Sequence, residues 1–348
     1  MQMSKIVLAL LLFSIKTNGV PRAIADEYTD MCDASAALAV DSTHFIIAND
    51  EDNTLRIYHV RKQAPVSTFD LAAFLRITYD DKSPESDIEG AAQLGDYYFF
   101  ITSHGRDKKG RLRRNRHQFF AVRIDPRSYV ITPVGRSYQF LMEDMIQLDE
   151  FKRLNIVDAF QPNDKKNERL APKERGVNIE GLAARPDGNS LFIAFRNPVP
   201  FGKALLVEFL NPLEVAAGAS VPKFGDVFLL DLNGLGVRSL EYNQRLGSYF
   251  VIGGASDGEP GSVLYLWDGK KGNQPSKSDQ LDFGQFEQFN PEAMAIYQQS
   301  DRFQIFSDDG TVLMPDGEGG RCDCKELANP DLKKFRGMWY NVQDLLGQ

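Results

Sequence analysis

From Leu38 onward the chain sets short apolar runs between polar turns. Leu38 to Val40, Phe45 to Ala48, Leu55 to Tyr58 and Val66 to Phe69 are separated by Asp41-Ser42, by residues 49–53 and by Gln63-Ala64-Pro65. Runs of this length, rich in β-branched and aromatic residues and broken every ten residues or so, predict β-strands joined by hairpins. The same texture returns at Tyr97 to Thr102, Phe119 to Ile124 and Val130 to Pro133. It returns again at Leu191 to Phe195, Ala204 to Phe209 and Val227 to Leu230, then at Tyr249 to Ile252, Val263 to Trp267 and Leu281 to Phe283. Phe303 to Phe306 and Phe335 to Val342 complete the series. One interval breaks it. Between Leu141 and Asn155 the apolar positions Leu141, Met145, Leu148 and Phe151 take a helical period, and the polar, basic residues 161–177 read as an exposed loop.

A short phrase precedes the strand groups: Asp87-Ile88-Glu89-Gly90-Ala91-Ala92, Asn178-Ile179-Glu180-Gly181-Leu182-Ala183, Arg238-Ser239-Leu240-Glu241 and Asn290-Pro291-Glu292-Ala293-Met294-Ala295. Cys32-Asp33-Ala34-Ser35-Ala36 is a weaker copy with Asp in place of Glu. From Asp33 through the four Glu the spacings are 56, 91, 61 and 51 residues, the long one holding the helical interval. A four-stranded unit repeating near every 50 residues predicts an all-β propeller. Five blades are expected, with residues 130–177 leaving room for a sixth, and about 141–177 forming one insertion.

Charge and termini add location. The net charge of −8 disfavours nucleic acid and anionic membrane as partners. Lys5 before the apolar run Ile6 to Ile15, followed by Ala23-Ile24-Ala25, predicts a signal peptide over residues 1–25 and a single domain over 26–348, in the periplasm or secreted. The run is too short to span a bilayer, so no membrane contact is expected after cleavage, and the expected state is a monomer. In an oxidising compartment Cys32 can bridge to Cys322 or Cys324 and tie the first repeat to the last, whereas Cys-Asp-Cys alone makes a poor zinc site.

The candidate chemistry follows from propeller topology. Innermost strands start at one channel mouth and second strands end there. Glu89, Glu180, Glu241 and Glu292 should therefore surround one opening, joined by Asn49, Asp50, His104, Arg196, Asn197, Ser256, Asp308 and Asp309. Facing carboxylates repel unless neutralised. Three solutions stay open, and a catalytic pair of carboxylates is a further reading. Ca²⁺ could be held by Glu89, Glu180, Glu241 and Glu292. Arg196, Arg238 and His104 could pair with them. Each Glu could instead accept backbone N–H groups and lock the ring. From Arg106 to Arg116 there are seven Lys or Arg in eleven residues, suiting either a loop over the mouth for an anionic ligand or a solvated hairpin. Gly254-Ala255-Ser256-Asp257-Gly258 has a nucleophile-elbow pattern without the helix that pattern needs, and reads as a hairpin turn. Asp50-Glu51-Asp52-Asn53 and Asp308-Asp309-Gly310 have calcium-loop composition but fall where hairpins turn.

Asp50-Glu51-Asp52-Asn53, the two Ile-Glu-Gly phrases, Ser103-His104-Gly105-Arg106, Phe195-Arg196-Asn197-Pro198, Gly236-Val237-Arg238-Ser239 and Ser307-Asp308-Asp309-Gly310 together carry a resemblance. Over about residues 33–340 the chain resembles a family of bacterial exported propeller-like proteins known as domain of unknown function 3616. The resemblance implies a propeller and no defined activity. The Glu-Gly-Leu-Ala phrase is also similar to blades of esterase-like phytases, which implies a hydrolase of phosphorylated or ester substrates. The expectation is an exported propeller binding an anionic small molecule or glycan, with Ca²⁺ as the candidate cofactor, through Glu89, His104, Arg106, Glu180, Arg196, Asn197, Arg238, Glu241 and Glu292. The alternatives are a metal-assisted hydrolase, with no catalytic residue assigned, and a protein-interaction scaffold.

Overall fold

The computed structural model describes residues 25–79, 84–172, 175–257, 261–281, 283 and 288–345. The signal-peptide expectation for residues 1–25 falls almost wholly outside them. Five four-stranded antiparallel sheets form a five-bladed propeller. Blade 1 runs outward from the channel through Ala36–Ala39, His44–Ala48, Thr54–His59 and Ser67–Asp70. Blade 2 uses Ile88–Leu94, Tyr97–Thr102, Phe119–Ile124 and Ile131–Tyr138. Blade 3 uses Asn178–Ala184, Leu191–Asn197, Ala204–Phe209 and Phe224–Leu230. Blade 4 uses Gly236–Asn243, Ser248–Gly254, Ser262–Trp267 and Ser276–Lys277. Leu281 and Phe283, expected in that outer strand, instead join the apolar cluster between blades 4 and 5.

Blade 5 is assembled from both ends of the chain. Pro291–Ile296, Arg302–Ser307 and Lys334–Asn341 are completed by the N-terminal strand Ala25–Thr29, which pairs antiparallel with the last of them. Ring closure is therefore non-covalent and covalent at once, because Cys32 is bonded to Cys324 across 292 residues of sequence. Cys322 is the free thiol.

The burial pattern explains why the second strands read as unbroken apolar runs. Leu191–Asn197 is buried at every position, whereas the outer strand Ser67–Asp70 only alternates between half-buried and exposed. A central strand is covered on both faces by the neighbouring blades, an outer strand is not. One apolar cluster fills each of the five blade interfaces. At the closing interface Tyr28, Phe45, Tyr58, Phe306 and Phe335 pack ring on ring.

Among the described residues there is no sixth blade. The interval after blade 2 folds as three one-turn helices, Leu141–Met145, Asp149–Arg153 and Ile156–Phe160. Leu141, Met145 and Phe151 are fully buried between blades 2 and 3. Strand direction puts the long connections on one face of the ring: 103–118, 139–177 and 308–333 all lie at the end where innermost strands begin. No helix among the described residues is long and apolar enough to cross a membrane.

Removing the closing bond frees both chain ends in the unfolded state. Cys32→Ser with Cys324→Ser is expected to lower unfolding free energy by roughly 2–5 kcal/mol. Denaturant melts with and without reductant check this, and the double variant should be insensitive to reductant.

Candidate functional site

A β-bulge at the start of the innermost strands builds the mouth. In blades 2, 3, 4 and 5 the innermost strand skips one residue of the pairing register, and the skipped residues are Glu89, Glu180, Arg238 and Glu292; in blade 3 the second strand also skips Arg196. The extra residue re-aims its side chain out of the ladder. The glycines after Glu89 and Glu180 have a packing cause. A Cβ on Gly90 would lie 2.9 Å from Ile101 Cγ2, and one on Gly181 would lie 2.8 Å from Ala194 Cβ.

The bulge corrects the expected ring of four Glu. The fourth repeat aligns as Gly236-Val237-Arg238-Ser239, so its mouth residue is a cation. Glu241 lies three positions further along the strand. It lines the opposite opening of about 630 Å³, and its Oε2 accepts the N–H of Ile296 at 3.1 Å. Glu89, Glu180 and Glu292 do share one cavity, of about 1260 Å³, with Arg238, Arg196, Asp33, Asp50, Asp87 and Asp308. The expected Ca²⁺ set therefore does not assemble, since one of its four ligands faces the far end and two are paired with arginines.

Arg196 Nη1 donates to Glu180 Oε1 at 2.7 Å, and Arg238 Nη1 donates to Glu292. Arg196 Nε is held by the Ala255 carbonyl at 3.0 Å. Among the described residues its Nη2 has no partner, although Arg196 is only 6% exposed. The acidic side of the cavity belongs to blades 1 and 2. Burial, then the charge of Asp87, pushes the Asp50 carboxyl well above its usual range. Burial, then Glu180, Asp87 and Asp50, does the same to Glu89. Burial and a hydrogen bond with Asp308 push Asp33 up to about 10.

The basic loop reaches this cavity, but most of its charge is already used. Arg106 donates to the carbonyls of Gly110, Phe160 and Gln161, so it braces the loop against the insertion. Asp107 gathers Arg111 and Arg113 at 2.7 Å each. Arg114 binds Glu143, and Arg116 binds Glu85 and Asp87 at 2.6 and 3.0 Å. Lys108 and Lys109 stand exposed at the cavity rim.

Two expected site residues lie elsewhere. His104 is buried behind the loop, its Nδ1 2.8 Å from the Thr102 carbonyl and its ring 5.4 Å from that of His117. Burial pushes its imidazole down to about 4. A positive φ of 51° turns the backbone there, which carries the side chain away from the mouth. Asn197 pairs with Asn178 at the strand end and donates to the Pro172 carbonyl at 2.9 Å. Ser256 sits in a turn between the second and third strands of blade 4, as expected of a hairpin, but it does not line the mouth cavity, and Asp309 is paired with Arg336 instead. Reasoning from the Glu phrase overlooked Asp87 and Asn290, its own first residues, and Arg116. The signal was present in the phrase, since three of its five copies begin with Asp or Asn where the bulge sets the register.

The family model described as "Protein of unknown function (DUF3616)" matches residues 33–135 and 139–295. The chain belongs to that family. Among curated proteins none matches the sequence. Solved structures with similar backbones include glutaminyl cyclase of Myxococcus xanthus, at 13% identity and a TM-score of 0.43, covering 92% of this chain and 98% of that one. The β-propeller domain of Cps50 (Swd1) from Myceliophteria thermophila matches at 9% and 0.36, covering 90% and 98%. Hydrazine synthase of Kuenenia stuttgartiensis matches at 10% and 0.37, covering 82% and 79%. At such scores these likenesses carry no argument, and the similarity to phytase blades rests on the Glu-Gly-Leu-Ala phrase alone.

The DUF3616 mouth has a testable pH signature. A carboxyl whose pKa is higher folded than unfolded binds a proton on folding, so it costs stability as pH rises between the two values and nothing below both. For Asp33 that window runs from 3.8 to about 10. Asp33→Asn supplies an amide that donates to Asp308 without a proton. Its unfolding free energy from denaturant melts in EDTA should exceed that of the wild type at pH 8, by roughly 1–3 kcal/mol, and match it at pH 3.

Proposed function

We propose that the chain is an exported propeller that binds an anionic small molecule or acidic glycan in the mouth cavity. The observation that carries this reading is the Nη2 of Arg196, a buried guanidinium N–H with no acceptor among the described residues. A buried donor left unpaired costs about 1–3 kcal/mol, more when charged, and an oxyanion would satisfy it. Lys108 and Lys109 at the rim favour the same ligand charge. The gathering of long loops at this end supports it too, since recognition residues concentrate on loops held by a rigid scaffold. A scaffold for protein contacts would ask for a flat apolar face, and nothing at the mouth favours one.

Titration calorimetry with inorganic phosphate, citrate and oligogalacturonate tests the reading. Arg196→Lys keeps the charge and loses the fork, and is expected to weaken the preferred anion about 10- to 100-fold. Absence of binding by all three, or unchanged affinity in the variant, would sink it.

Metal-assisted hydrolysis of a phosphate or other ester is the second reading. It is favoured by Asp33, a carboxyl in the same cavity that stays protonated at neutral pH and so could serve as a general acid. Release of 4-nitrophenol from its phosphate and acetate esters, with and without EDTA, decides it. No turnover under either condition rejects hydrolysis and leaves the binding reading standing.

A further inference from the structure

The phrase at the head of the innermost strands carries its own neutralising device in two blades. In blade 3 Asn178 Nδ2 donates to Glu180 Oε1 at 2.7 Å, and in blade 5 Asn290 Nδ2 donates to Glu292 Oε1 at 3.2 Å. Each of those Glu then takes an arginine. Blade 2 departs from the device. Asp87 stands where Asn stands in the other two, and an ionised carboxylate donates nothing. Its Oδ2 accepts from Ser103 and is ion-paired with Arg116, while among the described residues its Oδ1 has no donor. Glu89 receives no donor among the described residues. Asp50 Oδ1 is sealed from solvent and unpaired.

One oxygen from each of Asp50, Asp87 and Glu89 lies within 4.8 Å of the other two. Oxygen ligands stand about 2.3–2.6 Å from Ca²⁺, so three oxygens this close together can share one such ion. A second, independent observation comes from the neighbouring blade. Arg196 lines the same cavity, more than nine-tenths buried, with its unpartnered Nη2. A cation on the acidic side and an unsatisfied guanidinium on the other define a place for one oxyanion between them.

We propose that Asp50, Asp87 and Glu89 hold a divalent cation of the calcium class, and that a phosphate or carboxylate group bridges this cation and Arg196 Nη2. The proposal rests on the mouth being an anion site and adds that anion affinity depends on the cation. Blade 2 would thus use a metal where blades 3 and 5 use an Asn and an arginine.

Asp87→Asn is the decisive variant, because it restores the phrase that blades 3 and 5 already carry and so leaves the fold a proven local solution. Titration of the full chain with CaCl₂ alone should give one site in the wild type, weakened at least 10-fold in Asp87→Asn and in Glu89→Gln, and retained in Arg196→Lys. Melting in EDTA should show both carboxylate variants at least as stable as the wild type, and CaCl₂ should raise the melting temperature of the wild type only. No Ca²⁺ binding by the wild type, or equal binding by Asp87→Asn, overturns the cation site. Inorganic phosphate is then titrated with CaCl₂ and with EDTA. Equal affinity in the two overturns the bridge while leaving the anion site intact. Calcium binding without any anion binding does the reverse: it keeps the cation site and removes the anion reading on which the bridge depends.

Discussion

Everything at the channel mouth depends on the ring being closed. Five sheets that each bury one apolar face against the next form four interfaces as an open chain, and the last interface exists only if the two ends meet. Here Ala25–Thr29 supplies the outer strand of blade 5, and the aromatic cluster of Tyr28, Phe45, Tyr58, Phe306 and Phe335 fills the gap between first and last blades. The Cys32–Cys324 bond crosses the same seam. Asp33 and Lys325 are the next residues along the chain from the two cysteines, and both line the cavity. Closure and the shape of the mouth are therefore one problem.

Within that ring the mouth is a charge-balancing exercise carried out blade by blade. Glu180 and Glu292 are each served by an Asn two residues earlier and an arginine, while Arg116 answers Glu85 and Asp87. Among the described residues, what remains uncompensated is Asp50 and Glu89 on the acidic side, Nε of Arg116 beside them, and Nη2 of Arg196 on the basic side. Buried groups of opposite need in one cavity are what supports the proposed binding reading.

The architecture was legible because propeller strands write themselves into sequence. The central strands are covered on both faces and so read as apolar runs, and Leu191 to Phe195 or Phe303 to Phe306 could hardly be anything else. The helical period at Leu141, Met145 and Phe151 was legible for the same reason, since those side chains face a core. The N-terminal strand was not, because an outer strand needs only one apolar anchor, and Tyr28 among Asp26, Glu27 and Thr29 makes no pattern. The site was half legible. Topology brought Asp50, Glu89, Glu180, Arg196 and Glu292 to one opening, but register did not follow from spelling. Arg-Ser-Leu-Glu resembles the phrase, yet the bulge selects Arg238 and sends Glu241 down the channel. His104 was lost to a single left-handed backbone turn, which no spacing argument can see.

The bulge separates two inheritances. The residues on either side of it are in the ladder and pack against the next blade, so they are bound to the fold. The bulged residue is not, and in this one molecule the position is occupied by Glu three times and by Arg once without any change in the strand that follows. A lineage can therefore rewrite the mouth one letter at a time, blade by blade, while the ring stays as it was. Divergence of ligand preference at constant architecture is what such a design makes easy, and it gives a physical reason for a shared fold to be a poor guide to what each descendant recognises.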